Sequence, residues 1–189
     1  MTLQKPDKKY SYEDYLAWDE NERCEILEGV PYIQAAPSRT HQSMAVELLR
    51  QISNYLFGKE CKVYIAPFCV RLDIEKSDYN IKNVVEPDIT VVCDKSKLDD
   101  KGCNGSPDMI IEITSPSSVR KDRIMKFNKY EEAGVKEYWI AEPDQKLVSV
   151  FLLQSNGRYG RPEIYTEEDR IKPSIFPELE VDLKSVFEE

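Results

Sequence analysis

The chain has 189 residues, 41% hydrophobic and 32% charged, with a net charge of −9 at pH 7. That length suits one domain over residues 1–189 with a full hydrophobic core, and no apolar stretch reaches the roughly 18 residues of a membrane helix. The acidic balance excludes indiscriminate nucleic-acid coating, which needs many Lys and Arg to displace counterions.

The opening Met1-Thr2-Leu3-Gln4-Lys5-Pro6 has no apolar core that would serve as a secretory signal, so a cytoplasmic location is expected. Ser11 and Asp14 read as the two ends of a capping box, opening a short helix to about Glu20. Cys24–Leu27 and Val30–Ile33 flank Glu28-Gly29 as a hairpin, and Pro31 marks the second strand as an edge. Ser38 opens the longest helix, in which Met44, Leu48, Ile52 and Tyr55 form one apolar face and Gly58 is the stop. Strands are expected at 63–66, 69–72, 84–92 and 109–114, with loops at 75–82 and 94–106. Ser117 or Ser118 caps a basic helix that runs to Ala133 before Gly134. Strands at 137–141 and 148–153 flank the turn Glu142-Pro143-Asp144, and the Pro-punctuated tail from Ser155 carries no assigned element. This order predicts an α/β (α+β) fold, a mixed β-sheet flanked by helices.

The five cysteines, Cys24, Cys61, Cys69, Cys93 and Cys103, are odd in number and form no C-x-x-C pair. Several fall in predicted strands, where Cys acts as a small buried hydrophobe, so neither disulfides nor structural zinc is expected. A single histidine also argues against a His-based zinc site.

Two carboxylates stand in unfavourable places. Asp88 opens Ile89-Thr90-Val91-Val92, and Glu112 lies inside Met109-Ile110-Ile111-Glu112-Ile113-Thr114. An unpaired carboxylate in a buried strand costs several kcal/mol or more, so each needs a cation or strong donors. If the two strands pair, both carboxylates converge on one hard cation, Mg²⁺ or Mn²⁺, which acidifies its bound water. Asp122, Lys126 and Tyr130 follow at four-residue steps. Lys126 then either orients the attacking water and offsets transition-state charge, or forms an ordinary Asp122–Lys126 surface pair worth a few tenths of a kcal/mol. Arg120, Lys121, Arg123 and Lys129, with Tyr130 beside them, make either a phosphate-gripping patch or a solvated helix face. Tyr138 and Trp139 read as core, and Gly102 and Gly105 do not form a phosphate loop.

Glu86-Pro87-Asp88, then Ile111-Glu112-Ile113-Thr114-Ser115-Pro116-Ser117, then Asp122, Lys126, Tyr130 and Gly134-Val135-Lys136-Glu137-Tyr138-Trp139, resemble the Uma family of restriction endonucleases. These small bacterial proteins belong to the PD-(D/E)XK, or restriction-endonuclease-like, superfamily. Cys24-Glu25-Ile26-Leu27-Glu28-Gly29 and Pro37-Ser38-Arg39-Thr40-His41 are similar too, so the likeness runs from Tyr12 to Leu179. The resemblance implies a restriction-endonuclease-like fold and Mg²⁺- or Mn²⁺-dependent hydrolysis of DNA. It implies Asp88 and Glu112 as metal ligands and Glu25 as a further acidic residue at the site, where its own strand context also allows an exposed hairpin charge. Thr114 stands where the superfamily has lysine, and Lys126 is the natural replacement. His41, on the Met44–Leu48 stripe, is either a hydrogen-bonded core residue or a phosphate or water contact. Cutting both strands needs two sites, so a homodimer is expected. The competing expectations are a binding or interaction domain that kept the fold without turnover, and a pair of structural carboxylates with no metal.

Overall fold

The structure, a computed structural model, describes residues 8–18, 23–73, 77–116 and 118–188. Ser117 and the expected helix end at Glu20 lie outside these residues, as does the opening segment.

Helix α1 (Tyr12–Leu16) starts as its sequence dictates: the Ser11 hydroxyl accepts from Asp14 N–H, and the Asp14 carboxylate accepts from Ser11 N–H. Strands β1 (Cys24–Leu27) and β2 (Val30–Ile33) pair as the expected hairpin. Glu28 and Gly29 both take positive φ, 52° and 76°, which lets so short a turn follow the strand twist. Helix α2 (Arg39–Leu56) is capped by Ser38 and buries Met44, Ala45, Leu48, Ile52 and Leu56.

Strands β3 (Lys62–Ile65) and β4 (Val70–Arg71) follow. The expected strand 84–92 is two strands, because Pro87 removes a donor where the ladder would continue. Strand β5 (Val84–Val85) lies in one sheet and β6 (Ile89–Val92) in another. The expected loop 94–106 contains β7 (Leu98–Asp99) and β8 (Gly102–Asn104), an antiparallel pair whose β8 runs parallel to β4. Next comes β9 (Met109–Ile113). The basic helix is already α-helical at Val119 and Arg120, widens into a π-helical turn at Lys121–Lys126, continues as α3 (Phe127–Ala133) and ends at left-handed Gly134, φ 85°. Strands β10 (Glu137–Glu142) and β11 (Leu147–Leu152) form the second hairpin. The tail supplies β12 (Glu163–Thr166), β13 (Arg170–Ile171), β14 (Val181–Asp182) and α4 (Leu183–Phe187).

The fold is the mixed α/β class expected, built on two six-stranded sheets rather than one. Their orders are β2-β1-β5-β4-β8-β7 and β12-β11-β10-β9-β6-β3. In the second sheet, Ile89, Val91, Met109, Ile111, Ile113 and Trp139 pack with α2 and α4. Ile110, Tyr138 and Ile140 pack with Val70 and Val85 of the first sheet and with Tyr130. Covering both faces explains why these strands read as continuous apolar runs instead of alternating ones. Among the described residues no helix is long and apolar enough to cross a membrane.

The cysteine expectation is corrected at one pair. β3 and β6 pair Lys62 with Val92, so Cys61 and Cys93 meet one step further along and form a disulfide. Cys24, Cys69 and Cys103 remain thiols. Close approach also fixes Gly102: a Cβ there would lie 2.1 Å from the Cys69 carbonyl oxygen, and its φ is +129°. Gly102→Ala is expected to lose more than about 1 kcal/mol, read as a lower urea midpoint at unchanged slope.

Candidate active site

Extending the β6–β9 register (Ile89 to Ile111) by one residue sets Asp88 opposite Glu112. Directly opposed residues share a face of the sheet. The two carboxylates are held by different partners. Asp88 Oδ2 accepts the Ile113 N–H at 2.7 Å and lies 3.2 Å from His41 Nε2. Glu112 is 4% exposed, and its Oε1 accepts from Lys126 Nζ at 2.7 Å and from the Tyr130 hydroxyl at 2.6 Å.

A third carboxylate arrives from the other sheet. Glu25, in β1, is fully buried; its Oε1 lies 2.7 Å from Lys126 Nζ and accepts the Glu86 N–H at 3.0 Å. Its Oε2 accepts from Lys121 Nζ at 2.7 Å. One ammonium therefore ties the two sheets together through Glu25 and Glu112, with Asp122 Oδ1 at 3.9 Å. The π-helical turn makes this possible. Residues five apart in an α-helix point roughly 140° away from each other, so Lys121 and Lys126 would not both reach Glu25. Here the Phe127 N–H bonds the Asp122 carbonyl, five residues back, and the wider turn brings both lysines to one carboxylate.

Burial and charge sort these groups. Burial alone raises Glu25, but the Lys126 and Lys121 ammoniums override it and hold the carboxyl at about 2. Glu112 has only Lys126, so burial wins, reinforced by Asp122, Asp88 and Glu25, and the carboxyl is pushed up to about 8. Burial raises Asp122 as well, against the pull of Lys126. Burial would lower Lys126, yet Glu112, Glu25 and Asp122 drive it well above the ordinary lysine value. His41 is raised: burial lowers it, and Asp88 more than compensates. Near neutral pH, then, Glu112 keeps a proton because burial, with Asp122, Asp88 and Glu25 close by, outweighs Lys126.

Carboxylate oxygens with an imidazole nearby are the donor chemistry of a hard divalent ion, and a carboxylate that retains a proton is one that such an ion would discharge. The chemistry of these donors, rather than their present arrangement, suits Mg²⁺ or Mn²⁺. As the side chains stand, no group of three or more His, Cys, Asp or Glu among the described residues could hold a metal ion. Lys126 Nζ stands between Glu25 and Glu112, so an ion entering there must shift the ammonium.

The basic segment differs from its expected form. Lys121 is committed to Glu25. Arg123 pairs with Glu142, and Lys129 lies 2.8 Å from Glu28 and 2.7 Å from Glu132. Arg120 is exposed and makes no ion pair among the described residues. Tyr130, expected on the nucleic-acid face, is fully buried and serves Glu112 instead. Asp122 and Lys126 are each 2% exposed, which rules out the alternative of a surface pair. The Thr114 hydroxyl donates to the Ala141 carbonyl at 3.3 Å. Lys121 is not legible in the sequence as a partner of Glu25, since a five-residue step carries no α-helical signal. Nor is the buried Glu86 legible there, because its partners Tyr15 and Arg23 lie more than sixty residues away.

The Uma2 family, described as "Putative restriction endonuclease", matches residues 12–184. "Uncharacterized protein slr1290" of Synechocystis sp. (strain ATCC 27184 / PCC 6803 / Kazusa) is 30% identical over 127 residues, which make up 66% of this chain. The chain spans 64% of the length of that curated relative. A crystal structure of "a putative nuclease belonging to DUF820" from Anabaena variabilis ATCC 29413 is similar at a TM-score of 0.75 and 20% identity. The similarity covers 94% of this chain and 97% of that one, and at such identity it establishes the fold.

Proposed function

The chain belongs to the Uma2 family, described as "Putative restriction endonuclease", and from that we propose that it hydrolyses phosphodiester bonds of DNA with Mg²⁺ or Mn²⁺ held by Asp88 and Glu112, Glu25 supporting. The observation that carries this reading is the meeting of Glu25, Glu112 and Asp122 around one buried ammonium, with Asp88 opposite Glu112 on the neighbouring strand, an arrangement with more negative charge than its cations neutralise.

The ion, when bound, supplies Lewis-acid stabilisation of phosphate charge and a more acidic water. The chain's own groups do the rest. Ile113 N–H and His41 Nε2 hold the Asp88 carboxylate in orientation. Tyr130 fixes Glu112 Oε1, and Lys121 keeps Glu25 ionised. Asp88 and Glu112 would hold the ion, and Lys126 Nζ, beside Glu112, would donate to a phosphate oxygen where charge develops. It thereby does from a helix what the lysine two places after the second acidic residue does elsewhere in the superfamily. Arg120, exposed at the π-helical turn, contacts the strand backbone. Two copies acting together would cut both strands.

One observation favours a second reading. Lys126 and Lys121 already satisfy Glu25, so the same cluster serves as a structural tie between sheets in a protein without turnover. Incubating plasmid, single-stranded DNA and RNA with purified protein and Mn²⁺ separates the two. Cutting of DNA that disappears in Asp88→Ala, Glu112→Ala and Lys126→Ala supports hydrolysis. Intact substrates in every lane, or equal cutting by all variants, would remove it.

A further inference from the structure

Glu86 is buried, 7% exposed, and sits where the chain leaves β5 in one sheet and enters β6 in the other. Its Oε1 accepts from the Tyr15 hydroxyl at 2.8 Å. Its Oε2 accepts from Arg23 Nε at 3.3 Å and Arg23 Nη2 at 3.1 Å. Its own N–H donates to Glu25 Oε1 at 3.0 Å. Two residues on, the Asp88 carbonyl accepts the Ala66 N–H at 3.1 Å while the Asp88 carboxylate holds Ile113 N–H. Glu86-Pro87-Asp88 is therefore pinned at both ends, and Pro87 stiffens the link between them.

Two features show that this carboxylate does more than fill space. Arg23 lies two residues before Glu25 in extended chain, so both side chains leave the same side of the strand. Glu86 grips that strand twice, through Arg23 with its side chain and through Glu25 with its main chain. Burying a carboxylate is also unfavourable unless its bonds are strong and directional. An apolar residue would pack the crossing without fixing its angle.

We propose that Glu86 is a positioning residue: held by Tyr15 and Arg23, it sets the sheet-to-sheet crossing so that Asp88 is presented to the metal beside Glu112 while Glu25 supports them from the other sheet. This rests on the metal-centre reading above. Groups that orient metal ligands without touching the ion change affinity by about 10- to 100-fold when removed.

Mn²⁺ dissociation constants, measured by calorimetry on folded protein well below its thermal midpoint, test it; a merely structural role lowers the midpoint and leaves the constant alone. Glu86→Ala is expected to bind Mn²⁺ about 10- to 100-fold more weakly than wild type. Glu86→Gln, which keeps an oxygen for Tyr15, should fall between the two. If Glu86→Ala does not fold, Tyr15→Phe removes a single hydroxyl from the same clamp and should still weaken Mn²⁺ binding. Wild-type affinity in the folded Glu86→Ala protein, or in Tyr15→Phe where Glu86→Ala fails to fold, overturns the positioning role while leaving the metal centre standing. No Mn²⁺ binding by the wild type overturns both.

Discussion

Lys126→Met is expected to destabilise the protein by about 3 kcal/mol and to slow DNA cleavage by about 100- to 1,000-fold. Removing one member of a buried ion cluster leaves the others uncompensated, and Lys126 is the only group bonded to both Glu25 and Glu112 among the described residues. The stability loss sits at the low end of the usual 3–5 kcal/mol range for two reasons. Lys121 still neutralises Glu25, and Glu112 escapes the lost charge by holding its proton. Urea unfolding reads the first effect and initial nicking rate the second. Mn²⁺ should stabilise Lys126→Met at least as much as wild type, because the ion no longer has to displace an ammonium. A variant that is destabilised yet cuts DNA at the wild-type rate would make Lys126 purely structural.

The second large effect is on pH dependence. Glu112 is pushed from 4.5 in the unfolded chain to about 8 in the folded protein. Between those values the folded state holds a proton that the unfolded state has released. The contribution of Glu112 is therefore fully present below the ordinary carboxylate range, declines as pH rises, and is gone above about 8. Metal-free wild type should lose stability across that window, and Glu112→Gln should lose less. Mn²⁺ binding moves the opposite way. The ion replaces the proton, so affinity should tighten with rising pH and level off above about 8. Calorimetric titrations in buffers of different ionisation enthalpy should register the released proton. Mn²⁺ affinity that is flat from pH 6 to 9 would mean that the ion, if it binds, does not engage Glu112.

What could be read from the sequence was what local chemistry decides. The Ser11–Asp14 cap, the Glu28-Gly29 turn, the α2 stripe and the Gly134 stop all depend on residues within a few positions, and all appear as expected. The acidic residues Asp88 and Glu112 stood out because an apolar strand has no use for them. What could not be read depends on register or on partners far away. The break at Glu86-Pro87 was hidden in an apolar run whose two halves belong to different sheets. Leu98–Asp99 and Gly102–Asn104 are too short and polar to signal strands, and they pair only because Arg71 and Val70 lie alongside β8. The Cys61–Cys93 bridge follows from a β3–β6 register that composition cannot supply. Around the candidate site, α-helical spacing placed Lys126 and Tyr130 on one face but sent Lys121 elsewhere. The π-helical turn, which sequence periodicity does not announce, brings Lys121 to Glu25 and turns a supposed DNA-facing lysine into part of the buried cluster.

Anomalous scattering from a crystal soaked in MnCl₂ tests the central claim most directly. A manganese peak touching the carboxylates of Asp88 and Glu112, with Lys126 Nζ drawn off Glu112, is the predicted result. A peak elsewhere, or none at saturating Mn²⁺ with Lys126 still seated between Glu25 and Glu112, would contradict it.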